Sequence, residues 1–142
     1  MPAPAILDRG YKFASLKKRD VMPEMQIYKT LKFDAAHCLT GVPSTHKCSA
    51  MHGHSFEIEV HLKGDVDPQT GFVMDFGDLA KVCNPVLKQL DHAILNEIEG
   101  LENPTSENMC VWLWTILKPQ LPLLCQVVIK ETETSGCIYT GQ

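Results

Sequence analysis

The chain has 142 residues, 44% of them hydrophobic and 21% charged, which is enough apolar material for one domain with its own core and excludes a disordered or collagen-like chain. Its 13 Lys and Arg against 17 Asp and Glu leave a net charge of −4, so a broad nucleic-acid surface is not expected and small molecules are the favoured ligands. No stretch is long enough to cross a bilayer, and the N-terminus lacks a signal-peptide pattern, so the expected address is cytoplasmic.

Residues 1–24 contain three prolines and the basic run Lys17-Lys18-Arg19 without sustained periodicity. They read as an extension ahead of a domain at 25–142, with the basic run simply solvated. A first strand is predicted from Gln26 to Phe33, with Ile27, Leu31 and Phe33 on one side and its end near His37. A second is marked by Phe56, Ile58, Val60 and Leu62 alternating with Glu57, Glu59, His61 and Lys63, a period of two that buries one face and leaves His61 in solvent. Antiparallel pairing of these strands sets His37 beside His52 and His54, and the intervening loop then carries Cys48 over them.

Asp65 to Gly71 reads as a turn and Phe72 to Met74 as a short strand. A helix follows, capped by Asp75, with Leu79, Val82, Val86, Leu87 and Leu90 at helical spacing and Pro85 expected to disturb it. Asp91-His92 closes it. A second helix is capped by Thr105 or Ser106, carries an apolar stripe at Met109, Trp112, Leu113, Ile116 and Leu117, and stops at Pro119. The tryptophans read as packing residues. Cys125 to Thr132 forms a third long strand, which Thr134-Ser135-Gly136 turns into a last strand from Cys137 to Thr140. The expectation is an α+β fold of order β-β-α-α-β-β, an antiparallel sheet with two helices on one face. The six cysteines are scattered, with no CxxC pair, and read as reduced thiols; Cys83, Cys110 and Cys125 read as small buried hydrophobes.

The segment Cys48-Ser49-Ala50-Met51-His52-Gly53-His54 carries the strongest chemical signal. Side chains two apart on a strand share a face, so His52 and His54 can present two nitrogens to one ion, with Gly53 allowing close approach of the chain and His37 supplying a third nitrogen. Neutral imidazoles suit zinc, and three protein ligands with an open position mark a catalytic site. Cys48 decides the outcome: a sulfur on the metal makes a closed structural site, and a sulfur off it is a poised thiolate. Lys47 beside it is a possible phosphate contact but reads better as a surface lysine. Glu131 shares a strand face with Val127 and Ile129, and a carboxylate there needs either a Lys or Arg partner or a ligand offering N–H groups. Asp91-His92 is either a polar helix end or a proton-transfer pair.

Phe33-Asp34-Ala35-Ala36-His37, Cys48 with His52-Gly53-His54, Asp75-Phe76, Leu90-Asp91-His92, Asn103-Pro104-Thr105-Ser106-Glu107 and Lys130-Glu131-Thr132 together resemble the family of 6-pyruvoyltetrahydropterin and 6-carboxytetrahydropterin synthases, from about residue 25 onward. The three residues between Cys48 and His52 resemble the carboxy-forming branch that feeds queuosine and other 7-deazaguanines. The resemblance implies the tunnelling fold, with trimers closing a twelve-stranded barrel and two trimers stacking into a homohexamer whose active sites lie between subunits. It implies zinc on His37, His52 and His54, Cys48 as proton acceptor, Asp91 and His92 as a relay, Glu131 as the pterin anchor, and Thr105 and Ser106 at the substrate. The implied reaction converts 7,8-dihydroneopterin triphosphate to 6-carboxy-5,6,7,8-tetrahydropterin, acetaldehyde and triphosphate, without an external redox cofactor. The alternatives are the pyruvoyl-forming reaction on the same site, or a non-enzymatic protein whose zinc is closed by three histidines and Cys48.

Overall fold

In the computed structural model, which describes residues 22–142, strand alternation sets the layering. β1 (Glu24–His37), β2 (His52–Asp65), β3 (Leu124–Thr132) and β4 (Ser135–Tyr139) form one antiparallel sheet in that order. Leu31, Phe33 and Ala35 of β1, Phe56, Ile58, Val60 and Leu62 of β2, and Val127 and Ile129 of β3 are all buried, as a pleat with one covered face requires. Onto them pack α1 (Phe76–Leu90), through Leu79, Cys83, Val86 and Leu90, and α2 (Ser106–Leu117), through Met109, Cys110, Leu113 and Leu117. The expected α+β order β-β-α-α-β-β is the observed one.

The helix boundaries follow local chemistry. Asp75 accepts from the Asp78 N–H and Thr105 from the Asn108 N–H, so each helix start has one of its free donors satisfied by a side-chain oxygen. Pro85 does not interrupt α1: it sits on the exposed side of a continuous fifteen-residue helix, where its missing donor does not disturb the buried stripe.

Three local expectations are corrected. Phe72–Met74 is not a strand, because Asp67 closes a tight turn around it: its N–H donates to the Phe72 carbonyl and its carboxylate accepts from the Gln69 and Thr70 N–H groups. His61 is not solvent-exposed; its side chain is only 12% exposed, stacked on Tyr28 and bonded to Glu59 and Gln26. The final hairpin turns at Glu133-Thr134 rather than at Thr134-Ser135-Gly136, and β4 starts at Ser135 and ends at Tyr139. The expected N-terminal extension, with its basic run, falls on residues 1–21 outside the described part and on the short lead into β1, which already includes Glu24. Among the described residues no helix is long and apolar enough to cross a membrane.

The segment after α1 runs back along the outer edge of β1. His92 N–H donates to the Asp34 carbonyl at 2.7 Å, Ala36 N–H to the Ala93 carbonyl at 3.0 Å, and Ala36 bridges Ile94 in parallel. This fixes Asp91 and His92 beside the end of β1 that carries His37.

Candidate active site

His37 lies opposite His52, and Ala35 opposite His54, in the β1–β2 register. Pairing therefore gathers three imidazoles on the covered face of the sheet, just beyond the stacked rings of Phe33 and Phe56. One ring nitrogen from each of His37, His52 and His54 falls within a common span of 4.8 Å. The ring centroids lie 4.6 to 5.2 Å apart, and Phe56 meets His37 and His54 edge-on.

The hydrogen bonds fix which nitrogens face inward. His37 Nδ1 lies 2.9 Å from the Pro104 carbonyl and His52 Nδ1 2.8 Å from the Ala50 carbonyl. A carbonyl only accepts, so both Nδ1 atoms carry the proton and both Nε2 atoms offer a lone pair. His37 is 1% exposed, yet its Nε2 has no hydrogen-bond partner. An orphaned buried nitrogen costs roughly 1–3 kcal/mol unless something binds it, and an ion between these donors would do so. Burial holds the His37 imidazole below its ordinary pKa, opposed by the Pro104 bond and the nearby Glu131 charge and reinforced by His52 and His54. The neutral form that can ligate a metal is thus the favoured one. The residues fit a zinc ion. Cys48 is half-buried and is not one of the clustered donors. The crowding expected at Gly53 is absent: a Cβ there would meet the Ala35 carbonyl at 3.5 Å, an ordinary contact.

Glu131 is placed by a β-bulge. Lys130 pairs with Gly136 and Thr132 with Ser135, so Glu131 is the extra residue between them. The bulge leaves it unpaired in the ladder and bends the strand locally, with its side chain on the covered side, where its charge reaches His37. Across from it Gly136 is required, because a Cβ would meet the Ile129 carbonyl at 2.7 Å. Glu131 faces a cleft of about 400 Å³ that it lines with Thr105, Ser106, Leu39 and Cys137. Among the described residues it makes no side-chain hydrogen bond or ion pair, and its charge reaches His37.

Asp91 and His92 line a second cleft, of about 690 Å³, with Asp34, Ser55 and Lys130. The Asp91 carboxylate accepts from the Asp34 N–H at 3.1 Å and lies 3.0 Å from His92 Nδ1. The Asp34 N–H, followed by His92, holds the Asp91 carboxyl below its usual value. His92 has φ +57, a left-handed backbone uncommon outside glycine and frequent at functional positions. A shallow groove joins His92 to His54.

Glu131, Thr105 and Ser106 line one cleft, and the three histidines form one cluster. Cys48 lines none of these clefts, and Asp91-His92 and Glu131 open onto different ones. The carbonyls of Pro104 and Ala50, which orient two of the clustered imidazoles, were not identified from sequence, because a backbone acceptor leaves no residue-type signal. Lys47 is exposed.

A family model described as 6-pyruvoyl tetrahydropterin synthase matches residues 26–142. A 6-carboxy-5,6,7,8-tetrahydropterin synthase of Synechocystis is 40% identical over 119 residues, 80% of this chain and 91% of that protein. A dihydroneopterin monophosphate aldolase of Pyrococcus furiosus is 40% identical over 96 residues, 68% of this chain and 76% of the relative. The structure of a 6-pyruvoyl tetrahydropterin synthase from Caenorhabditis elegans superposes with a TM-score of 0.80 at 30% identity, covering 87% of this chain and 99% of that one.

Proposed function

The chain belongs to the 6-pyruvoyl tetrahydropterin synthase family, and on that premise we propose that it is a zinc-dependent lyase converting 7,8-dihydroneopterin triphosphate and one water to 6-carboxy-5,6,7,8-tetrahydropterin, acetaldehyde and triphosphate in 7-deazaguanine biosynthesis. The observation that carries the reading is the cluster of His37, His52 and His54 with an orphaned Nε2 at its centre and a cysteine nearby that is not part of it. That composition favours an open, catalytic site over a closed structural one. The carboxy-forming product is preferred because the carboxypterin-forming relative is 40% identical, against 30% for the pyruvoyl-forming structure.

His37, His52 and His54 would hold a zinc ion, which would supply Lewis-acid polarisation of the substrate's side-chain hydroxyls. The protein's own groups do the rest. Glu131 accepts hydrogen bonds from the guanidine-like edge of the pterin, an acceptor-only group facing paired N–H donors, with Thr105 and Ser106 beside it in the same cleft. Cys48 takes the proton removed from the side chain, and His92, oriented by Asp91, exchanges a proton on the other side of the substrate. The dihydropterin ring gains the hydrogens that the side chain loses, so no external redox cofactor enters.

Glu131 and the Asp91-His92 pair line different clefts of one chain, and Cys48 lines neither. We therefore assign the complete site to a homo-oligomer, a hexamer of two trimers, in which His92 of one subunit serves Cys48 of another. The two outer strands, β1 and β4, are the edges that such an assembly would close.

The aldolase relative motivates a second reading, cleavage of a dihydroneopterin phosphate to a hydroxymethylpterin. Mass analysis of the products from 7,8-dihydroneopterin triphosphate and from 7,8-dihydroneopterin monophosphate, assayed separately, tests both. A carboxypterin with acetaldehyde is expected; a hydroxymethyl or pyruvoyl product would replace this reading.

A further inference from the structure

The loop between β1 and β2 has to hold a thiol still with little regular secondary structure; the Asn96 and Asn103 side chains hold its start at Cys38 and Thr40, and three main-chain bonds tie it internally. Leu39 N–H donates to the Cys48 carbonyl at 2.8 Å, His46 N–H to the Pro43 carbonyl at 2.9 Å, and Ser49 N–H to the His46 carbonyl at 2.9 Å. Ser49 Oγ adds a bond to the Ser44 carbonyl at 3.0 Å. The Cys48 N–H donates to a side chain of its own loop, the His46 ring nitrogen Nδ1, at 3.1 Å. His46 is thereby the N-cap of the single 3-10 turn, Lys47–Ser49, that carries Cys48. Immediately after that turn, the Ala50 carbonyl holds the ring of His52. One short, hydrogen-bonded stretch thus sets both the thiol and a metal-facing imidazole.

We propose that His46 is a positioning residue for Cys48: its neutral imidazole, protonated on Nε2 and accepting at Nδ1, fixes the backbone from which the thiol projects. The inference rests on the reading of Cys48 as the proton acceptor. The ring is exposed and belongs to no metal-binding cluster, so neither core packing nor ligation accounts for its place. Its backbone is anchored on both sides, which leaves the imidazole well placed to act as a fixed acceptor. Asparagine carries an acceptor at the same position along the side chain and is a favoured cap, whereas alanine carries none.

His46→Ala and His46→Asn are compared in the full-length protein with zinc content measured for each. His46→Ala is expected to lower kcat about ten- to a hundredfold, with KM within about twofold and one zinc per chain, because misplacing a reacting group by about 1 Å costs on that order. His46→Asn is expected to stay within about threefold of the parent. Amide hydrogen exchange at Cys48 should accelerate in His46→Ala and return to the parent rate in His46→Asn. A fully active His46→Ala, an unchanged Cys48 exchange rate in it, or a His46→Asn as impaired as His46→Ala would overturn the proposal. Cys48→Ala separates the two readings. If it turns over normally, the thiol's catalytic role fails; if it is inactive while His46→Ala works normally, only the positioning role fails.

Discussion

The Pro104 carbonyl accepts the Nδ1–H of His37 at 2.9 Å, and the next residue, Thr105, both caps α2 and lines the cleft of Glu131. A single peptide unit therefore links a histidine of the candidate metal cluster to the cleft assigned to the pterin. Truncating His37 should cost both zinc and stability, because it leaves a buried carbonyl without its donor and a cavity at the end of the core. His37→Ala is expected to bind no zinc and to lose about 2–4 kcal/mol in denaturant unfolding. His54→Ala, at a half-buried position with no hydrogen bond of its own among the described residues, should lose zinc with a smaller loss of stability. Equal losses in the two variants would break the link drawn here.

The bulge at Glu131 makes a sharper demand on its neighbour. Gly136→Ala would push a Cβ to within 2.7 Å of the Ile129 carbonyl, and a backbone atom cannot move aside as a side-chain tip can. A destabilisation of about 1–3 kcal/mol is expected, as for other overpacked sites. Pterin binding should weaken along with it, because the strand that aims Glu131 has to shift. Calorimetry with a pterin ligand checks this: unchanged affinity in a destabilised Gly136→Ala protein would uncouple the bulge from the cleft.

On the open face of the sheet Lys130 bonds Glu57 at 3.0 Å and Glu59 at 2.8 Å. These bonds hold both carboxyls below their usual range, with His61 helping at Glu59, and raise the Lys130 ammonium to about 12. The carboxylates' share of stability is present above their unfolded pKa and is lost as pH falls through the lowered folded values. The lysine's share is complete below about pH 10 and is lost as pH rises through its raised value. The stability difference between parent and Lys130→Met should therefore be flat from about pH 5 to about pH 10 and shrink on either side. The partners are partly exposed, so the difference is modest. Urea midpoints across that range decide it, and a difference that persists unchanged at pH 3.5 would contradict the assignment.

Thiol chemistry should divide the cysteines. Desolvation pushes Cys83 up to about 11 and Cys110 to about 12, the latter with help from Cys137. Both are buried. Neither should be alkylated in the folded protein at pH 8, whereas the half-buried Cys48 should be labelled, as peptide mass mapping would show. Prompt labelling of Cys83 or Cys110 would mean that the core opens more readily than its packing implies.

Much of this was legible in the residues, and what escaped has physical causes. The alternation from Phe56 to Leu62 fixed the buried face of β2, and the two-residue spacing of His52 and His54 fixed their common direction, because a strand has only two faces. Antiparallel pairing then brought in His37. The position of Glu131 was read from the same alternation, but the bulge was not foreseen, since it depends on pairing with Gly136 across the hairpin. That extra residue also displaced the expected turn. His61 was placed in solvent because its own strand shows a polar face there; the cover comes from Tyr28, Gln26 and Glu59, two of them on the neighbouring strand. The docking of Asp91–Ile94 along β1 is a tertiary contact with no local pattern.

The account stands on three imidazoles taking the ion while the Cys48 sulfur stays off it, and cobalt substitution reads that arrangement directly. The cobalt protein is predicted to show the visible bands of a nitrogen- and oxygen-coordinated ion, with no sulfur-to-metal charge-transfer absorption in the near ultraviolet and the same spectrum in Cys48→Ala. A strong charge-transfer band that disappears in Cys48→Ala would place the thiol on the metal and contradict the open site.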